Sequence, residues 1–551
     1  MTEIAGEAPQ QLTQGPDVTR RGLLKHAGAA GLLLTSSGLI AACGASAPRA
    51  KSGTSTSNAL DGNPATPRQG GTLSIGILGN GSSETYNPAL ANTNIDILHC
   101  FSVFDSFSRY GAFGRLIPGL ALEWQPNAEA TVWEIRLRPD VVWHDGKRFT
   151  ADDVLYTLRL MGNPASLGHE SVVNVRLNDI RKRGDYIVQV PLHKPNARLF
   201  ELFVVNSGWI VQDGFKNFSK PIGTGPFKLV SFTPGQRSTL AANRDYWDHP
   251  RPYLDTLEII SIDDDGARLE ALESGQIDVA SPISAVQARA SQANTSGAWK
   301  VVVSEPGVTH VIVMRVDVAP FNDNRVRMAM KLIADRQALI EAAFSGYGVV
   351  GNDIVGRGLT YYDTSLPQRQ QDIEQAKSLL RAAGVPDLRL TIQTANVSSG
   401  VIEAATAFAQ QATAAGVTIN VKQDTAAAYF NPQLLYLKMP FAQDIWTSLT
   451  GLQLFYNAAL VQGAPYNETH WNVPSFNNLV SQAESATDPA TAQRLWSEVQ
   501  TIQYNQGGYV VWAEQRFTDG ISKRVAGYGG PGTGWTGYPD DARVYDWGLA
   551  G

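Results

Sequence analysis

The chain has 551 residues, 43% hydrophobic and 17% charged, and a formal net charge of −6. That length exceeds one ordinary hydrophobic core, so two or three domains are expected, and the composition is that of a folded globular protein. An acidic chain without a basic stripe lacks the electrostatic footprint of a nucleic-acid binder, which removes that class of partner.

The amino terminus reads as an export signal. Thr19-Arg20-Arg21-Gly22-Leu23-Leu24-Lys25 resembles a twin-arginine motif, and a weakly apolar run from Ala27 to Ala42 follows. That run is shorter than the roughly 20 residues a membrane span needs. Leu39-Ile40-Ala41-Ala42-Cys43 resembles a lipobox, with Cys43 as the acylated residue and residues 1–43 as the signal segment. Acyl chains on Cys43 imply a lipid anchor at the membrane surface, since burial is worth about 0.8 kcal/mol per methylene. With Cys43 acylated, only Cys100 remains, in an apolar run expected to be buried and inert; no intramolecular disulfide is available. Residues 44–70, rich in Ser, Thr, Ala, Pro and Gly, read as a flexible tether.

The fold is expected to begin at Gly71–Gly76 with an edge-type strand, followed by the turn Tyr86-Asn87-Pro88 and an apolar helix around Ile95–Phe107. In Trp133–Tyr156, Trp133, Ile135 and Leu137 alternate with Glu134, Arg136 and Arg138, the pattern of a half-buried strand. His144-Asp145-Gly146-Lys147 carries hairpin turn chemistry between Val141–Trp143 and Arg148-Phe149. Thr150 caps a helix whose apolar face is Val154, Leu158 and Met161. Asp185–Val190 is a strand. Gly223-Thr224-Gly225-Pro226-Phe227 is a structural turn, followed by Asn243-Arg244-Asp245-Tyr246-Trp247. Arg268–Ala280 is a helix stopped at Gly275 and then a strand.

After Pro320–Arg327, a helix buries Val326, Met330 and Ile333, and Asp372–Gly384 is a helix with Asp at its start and Gly at its end. Leu388–Ile392, Val401–Ala415 and Val417–Val421 form a strand, helix and strand, hence a βαβ unit. Asp488-Pro489 opens a long helix burying Leu495, Val499 and Ile502. Tyr509–Trp512 is a strand, and Gly529–Gly537 is a Gly-dense loop.

Catalytic signatures do not emerge. There is no Gly-x-x-x-x-Gly-Lys-Ser/Thr, no Gly-x-Ser-x-Gly, and His169-Glu170 lacks the second His of a zinc helix. Asp263-Asp264-Asp265-Gly266 lacks the alternation and the final Glu of a calcium loop and reads as a solvated turn. No metal and no cofactor are expected.

Several stretches, in order, resemble the extracellular solute-binding proteins of family 5, which serve peptide, nickel and related ABC importers. They are Pro118–Trp124, Trp133–Tyr156, Gly223–Phe227 with Asn243–Trp247, Arg268–Ala280, Pro320–Arg327 and Ala376–Gly384. The resemblance implies an α/β fold of the periplasmic-binding-protein-like type II class, in its large three-subdomain variety, with two lobes around a hinge. Residues 71–113, 220–312 and 510–551 would form the lobe I core, 114–219 an accessory subdomain, and 313–509 lobe II. The crossings would lie near Thr309–Val316 and Gln506–Trp512.

The resemblance also implies binding of a peptide or similar solute by lobe closure and delivery to an ABC permease and ATPase, by a monomer anchored extracytoplasmically. In peptide-binding relatives a Gly-Trp-x-x-Asp run supplies an aromatic wall and a carboxylate for the peptide amino group. The corresponding run here is Asp444-Ile445-Trp446-Thr447-Ser448-Leu449, so Leu449 stands where the Asp would be. Either Asp444 substitutes or the ligand is another kind of solute, such as an oligosaccharide, opine or metal chelate. Asp444, Trp446 and Thr447 are ligand candidates, as are Asn92, Thr93 and Asn94 after the first turn. His169, Trp512 at the second crossing and Glu514 just after it complete the set. An exported enzyme, suggested by the twin-arginine route alone, is the reading from another class.

Overall fold

The structure, a computed structural model, describes residues 66–110, 116–203, 208–291, 297–429, 435–447, 451–529 and 544–550. The signal segment, Cys43, all but the end of the tether, Leu449 and the loop beyond Gly529 lie outside them.

One sheet, of eleven strands among the described residues, runs through the molecule. Its strands are β1 (Thr72–Ile77), then β6 (Phe227–Thr233), β7 (Arg237–Ala242), β8 (Thr256–Ser261), β9 (Val279–Ser281), β10 (Trp299–Met314), β11 (Gly348–Val350), β12 (Arg389–Ala395), β13 (Thr418–Asp424), β14 (Phe441–Thr447) and β15 (Tyr509–Ser522). The spatial order is β13-β12-β14-β10-β15-β9-β1-β8-β7-β6, with β11 added alongside β15. The numbers between β1 and β6 belong to a separate four-stranded sheet: β2 (Ala121–Pro126), β3 (Val132–Leu137), β4 (Arg181–Lys182) and β5 (Ile187–Pro191), ordered β2-β3-β5-β4.

Two long antiparallel strands, β10 and β15, join the halves of the large sheet. At its start β10 pairs β15 through Trp299↔Ser522 to Val303↔Thr518. After register shifts at Pro306 it pairs β15 again and gains β14 as a second neighbour, from Val308↔Thr447 to Met314↔Phe441. Pro306 has no N–H to give the ladder, so regular pairing breaks there. The expected crossings, Thr309–Val316 and Gln506–Trp512, fall on the side of this break bordered by β14.

The strand β1 differs from its edge-type expectation: it lies mid-sheet, parallel to β8 on one side and β9 on the other. Its polar position is satisfied there, since Ser74 donates from N to Asp278 Oδ2 (2.9 Å) and from Oγ to Glu258 Oε2 (3.0 Å). Gly76 allows the close packing, because a Cβ there would stand 2.6 Å from Ile277 Cδ1.

The alternating strand β3 buries Trp133, Ile135 and Leu137 as its pattern requires. The hairpin after it reduces to one bridge, Val142↔Arg148, closed by a turn with Gly146 at φ +84°. Helix α2 (Ala151–Met161) follows; Asp153 Oδ2 accepts from the N–H of the cap residue Thr150 (2.8 Å), and Val154, Leu158 and Met161 are buried. These elements and Leu199–Phe203 share one core, within the stretch expected to form an accessory subdomain.

The paired glycines Gly223 and Gly225 answer to close approach rather than to turn dihedrals. A Cβ at either would meet the backbone of Val103 at 1.8 to 2.6 Å, and Gly225 N donates to Val103 O (2.9 Å). Val103 ends helix α1 (Asn94–Val103). Just beyond, Asp105 collects Thr224 Oγ1 (3.1 Å), Tyr246 Oη (3.0 Å), Trp247 Nε1 (2.9 Å) and Arg109 Nη2 (2.8 Å). Both glycine and tyrosine-tryptophan motifs therefore converge on one buried carboxylate.

The βαβ unit is β12, helix α3 (Val401–Thr413) and β13, with the strands parallel. Asp372 caps a helix over Ile373–Ala382 by accepting from Gln375 N (2.8 Å), and Asp488 caps Pro489–Gln506 by accepting from Thr491 N (2.8 Å). The carboxyl end of the latter helix meets a cluster of cations. Arg327 donates to Gln506 O, Lys331 and Arg369 to Tyr504 O, the favourable charge for that end of a helix. Asp264 caps Asp265–Glu273 by accepting from Ala267 N (2.8 Å), so the acidic Asp263–Gly266 run starts a helix.

Candidate functional site

The register of three neighbouring strands sets Trp446, Thr309 and Glu514 opposite one another, as Trp446↔Thr309 and Thr309↔Glu514. Thr309 Oγ1 donates to Glu514 Oε2 (2.6 Å). Trp446 is buried, its ring edge-on to Phe455 (centroids 5.1 Å) and its Nε1 donating to Glu468 Oε1 (2.9 Å). Two residues singled out from sequence thus meet through a third, Thr309.

Burial pushes the Glu514 carboxyl up to about 7, against the opposing pull of the Thr309 bond and the Arg357 charge. Arg357 is close enough to act on Glu514 yet forms no ion pair with it among the described residues. Its Nη2 donates to Val350 O (3.0 Å), its Nε is buried with no partner, and its guanidinium lies 5.6 Å from the Tyr362 ring centroid. Burial also raises the Tyr362 hydroxyl to about 12.

Next to Tyr362, the ring of Tyr361 lies 4.5 Å from the Arg198 guanidinium of the accessory subdomain. On the same seam, Asn196 Nδ2 donates to Gln453 Oε1 (3.0 Å), Gln453 Nε2 to Arg198 O (2.6 Å), and Ala197 N to Glu484 O (2.8 Å). These contacts hold Asn196–Arg198 against Gln453 and Glu484 in this structure.

In lobe I a cavity of about 270 Å³ is lined by Asn87, Leu90, Met161, Asn163, Ser166 and Trp209, among others. It unites the first turn with the loop after the signature helix. Trp209 Nε1 is buried there without a partner.

The remaining candidates are placed as follows. Asn92–Asn94 lie just past the cavity turn and start α1: Thr93 Oγ1 donates to Asp96 Oδ2 (2.6 Å) and Asn92 N to the same oxygen (3.4 Å). His169 follows Gly168, a cavity-lining residue, and its Nδ1 is buried without a partner. Asp444 is buried on β14 opposite Val311 and accepts from Ile445 N (2.7 Å). Trp512 lies elsewhere: β15 carries an extra residue where the register passes from His310↔Ala513 to Val311↔Val511. Its ring consequently stacks on Phe344 (5.3 Å) and packs on His310 (5.2 Å), away from the Thr309–Glu514 contact.

A model of the bacterial extracellular solute-binding proteins, family 5 (middle), matches residues 115–468. The chain belongs to that family. Its relatives include a glutathione-binding protein of Pectobacterium atrosepticum, 24% identical over 82% of this chain and 91% of the relative. Another is a dipeptide-binding protein of Escherichia coli, 24% identical over 81% of this chain and 90% of the relative. Among solved structures, the ABC transporter substrate-binding protein CtaP of Listeria monocytogenes superposes with a TM-score of 0.76 at 20% identity, covering 88% of this chain and 100% of that one.

The signature stretch and the candidate site are separate: the first lies in the four-stranded sheet and helix α2, the second on β10, β14 and β15 of the large sheet. Sequence reading missed Arg357, Tyr362 and the seam residues Asn196–Glu201. Arg357 had a local signal, since it stands between Gly356 (φ +98°) and Gly358 (φ +85°), a bend with a single long cation at its apex. Nothing local marks Asn196–Glu201.

Proposed function

We propose that this family 5 protein is the solute-binding component of an ABC importer and takes a small zwitterionic solute, a short peptide above all, between its lobes. The observation that carries the reading is the Trp446–Thr309–Glu514 row beside the unpaired Arg357. Glu514 receives the solute's ammonium, Arg357 its carboxylate, and Trp446 and Tyr362 supply apolar walls. Glu514 thereby does the work for which Leu449 is unsuited. The relatives named for glutathione and dipeptides favour the same class of solute.

The hinge is the irregular passage Val303–Val308 of β10 with Gln515–Thr518 of β15, where the ladder breaks and the strands bend most cheaply. The protein acts by binding rather than catalysis, as a monomer. It is exported through the Arg20-Arg21 signal and held outside the cell membrane by lipid on Cys43, where it hands solute to a permease and its ATPase.

Calorimetric titration with di- and tripeptide pools tests the reading. Peptides with free termini bind, and N-acetylation or Glu514→Gln weakens them by about tenfold or more, the worth of one charge-assisted hydrogen bond. Absence of binding by any pool, or a Glu514→Gln variant that binds as the parent does, overturns it. Mass spectrometry of intact protein from membranes checks the acylation of Cys43.

A further inference from the structure

The seam between the accessory subdomain and lobe II holds two carboxylates that the solute site does not use. Glu201, in the turn Leu199–Phe203, presses on Gly451: a Cβ at Gly451 would stand 2.5 Å from Glu201 Oε2 and 3.1 Å from its Cβ. Glu484, near the end of the helix Pro474–Ser485, offers its backbone oxygen to Ala197 N and its side chain to Asn457. Around them run the neutral contacts Asn196–Gln453 and Gln453–Arg198 O, and Leu454 packs on the accessory core. Trp133 Nε1, from the signature strand, donates to Asn196 O (2.8 Å) and so steadies the segment from behind.

We propose that this seam is a proton-responsive latch, in which Glu201 and Glu484 must be neutral for the lobes to rest fully closed. The charges facing them do not neutralise both. Glu201 sees Arg198, whose guanidinium is shared with the Tyr361 ring and Ala486 O, and it sees Glu484 as a like charge. Lys194 acts on Glu484 as a cation, and Asp488 adds a further negative charge beside Tyr361. The seam leaves both carboxylates only partly exposed, and that burial pushes each up to about 7.

The sign follows from linkage. Opening returns each group to water and to an ordinary value near 4.3, so the closed form binds more protons between about 4.3 and about 7. Closure is therefore favoured as pH falls through that window and opposed as pH rises through about 7. Each carboxylate changes the closing constant by up to about tenfold per pH unit. This inference rests on lobe closure but not on which solute is bound.

The test uses the full chain without solute. Small-angle scattering should show it compacting between about pH 8 and about pH 5.5, within the range where these groups titrate. A Glu201→Gln/Glu484→Gln variant should be compact at both. Gln453→Ala, which loses a neutral contact only, should be more open at both and keep the pH response. In the parent, hydrogen exchange at the Ala197 amide, corrected for intrinsic rate, should show protection several-fold higher at the acidic end. A parent whose dimensions and Ala197 protection ignore pH, or a doubly substituted variant that follows pH as the parent does, overturns the latch. Solute binding measured separately is left standing by that failure.

Discussion

Asp353 offers the sharpest test of how lobe II is held together. It is fully buried; Oδ1 accepts from Arg336 Nη2 (2.7 Å) and from Val511 N (3.1 Å), and Oδ2 pairs with Arg369. Asp353→Asn keeps the side-chain shape and tolerates the left-handed backbone at φ +58°, so the change isolates the charge. It leaves Arg336 and Arg369, with fully buried Lys331 beside them, without their anion. Breaking one partner of a buried ion pair costs about 3–5 kcal/mol. For a lobe of this size that lowers the unfolding midpoint by roughly 6–20 °C. Calorimetry of the full chain and urea unfolding measure it. A loss below about 1 kcal/mol would refute the argument, because the cations would then be satisfied by the helix-end carbonyls alone. Asp353→Ala should cost about 1 kcal/mol more, since alanine resists that backbone conformation.

Gly225→Ala should destabilise lobe I by about 1–3 kcal/mol through collision with the Val103 backbone, seen in urea unfolding; Gly146→Ala, open in space but at positive φ, should cost about 1 kcal/mol. Trp133→Phe removes the donor to Asn196 O and should cost about 1–3 kcal/mol in the accessory subdomain, with lower peptide affinity in titration. Asp519 is fully buried, its carboxyl raised to about 7 by that burial and hydrogen-bonded to Tyr528 Oη (2.6 Å). The folded state therefore holds its proton between about 3.9 and about 7, and the stability it contributes is lost as pH rises through about 7. Asp519→Asn should accordingly raise the melting midpoint above pH 7 more than below pH 6, in thermal scans across that range.

Local pattern settled much of the architecture. Alternation in β3, the caps Thr150, Asp372 and Asp488, and the βαβ unit were legible because each depends on a few neighbours in the chain. The ordered motifs resembled the family, and its model matches residues 115–468. The local pattern misled where a residue's role depends on distant chain. The run Gly71–Gly76 read as an edge-type strand, yet Asp278 and Glu258 satisfy Ser74 and let the strand sit mid-sheet. Trp512 and Glu514 have the same spacing parity, and only the extra residue opposite His310 and Val311 separates their sides. The site itself is a matter of register: Trp446, Thr309 and Glu514 are far apart in sequence and adjacent because three strands align. The chain alone named the kind of protein through short-range signals. Which charges face one another, at Glu514 and Arg357 or at Glu201 and Glu484, was decided by tertiary contact, because burial and long-range pairing set their chemistry.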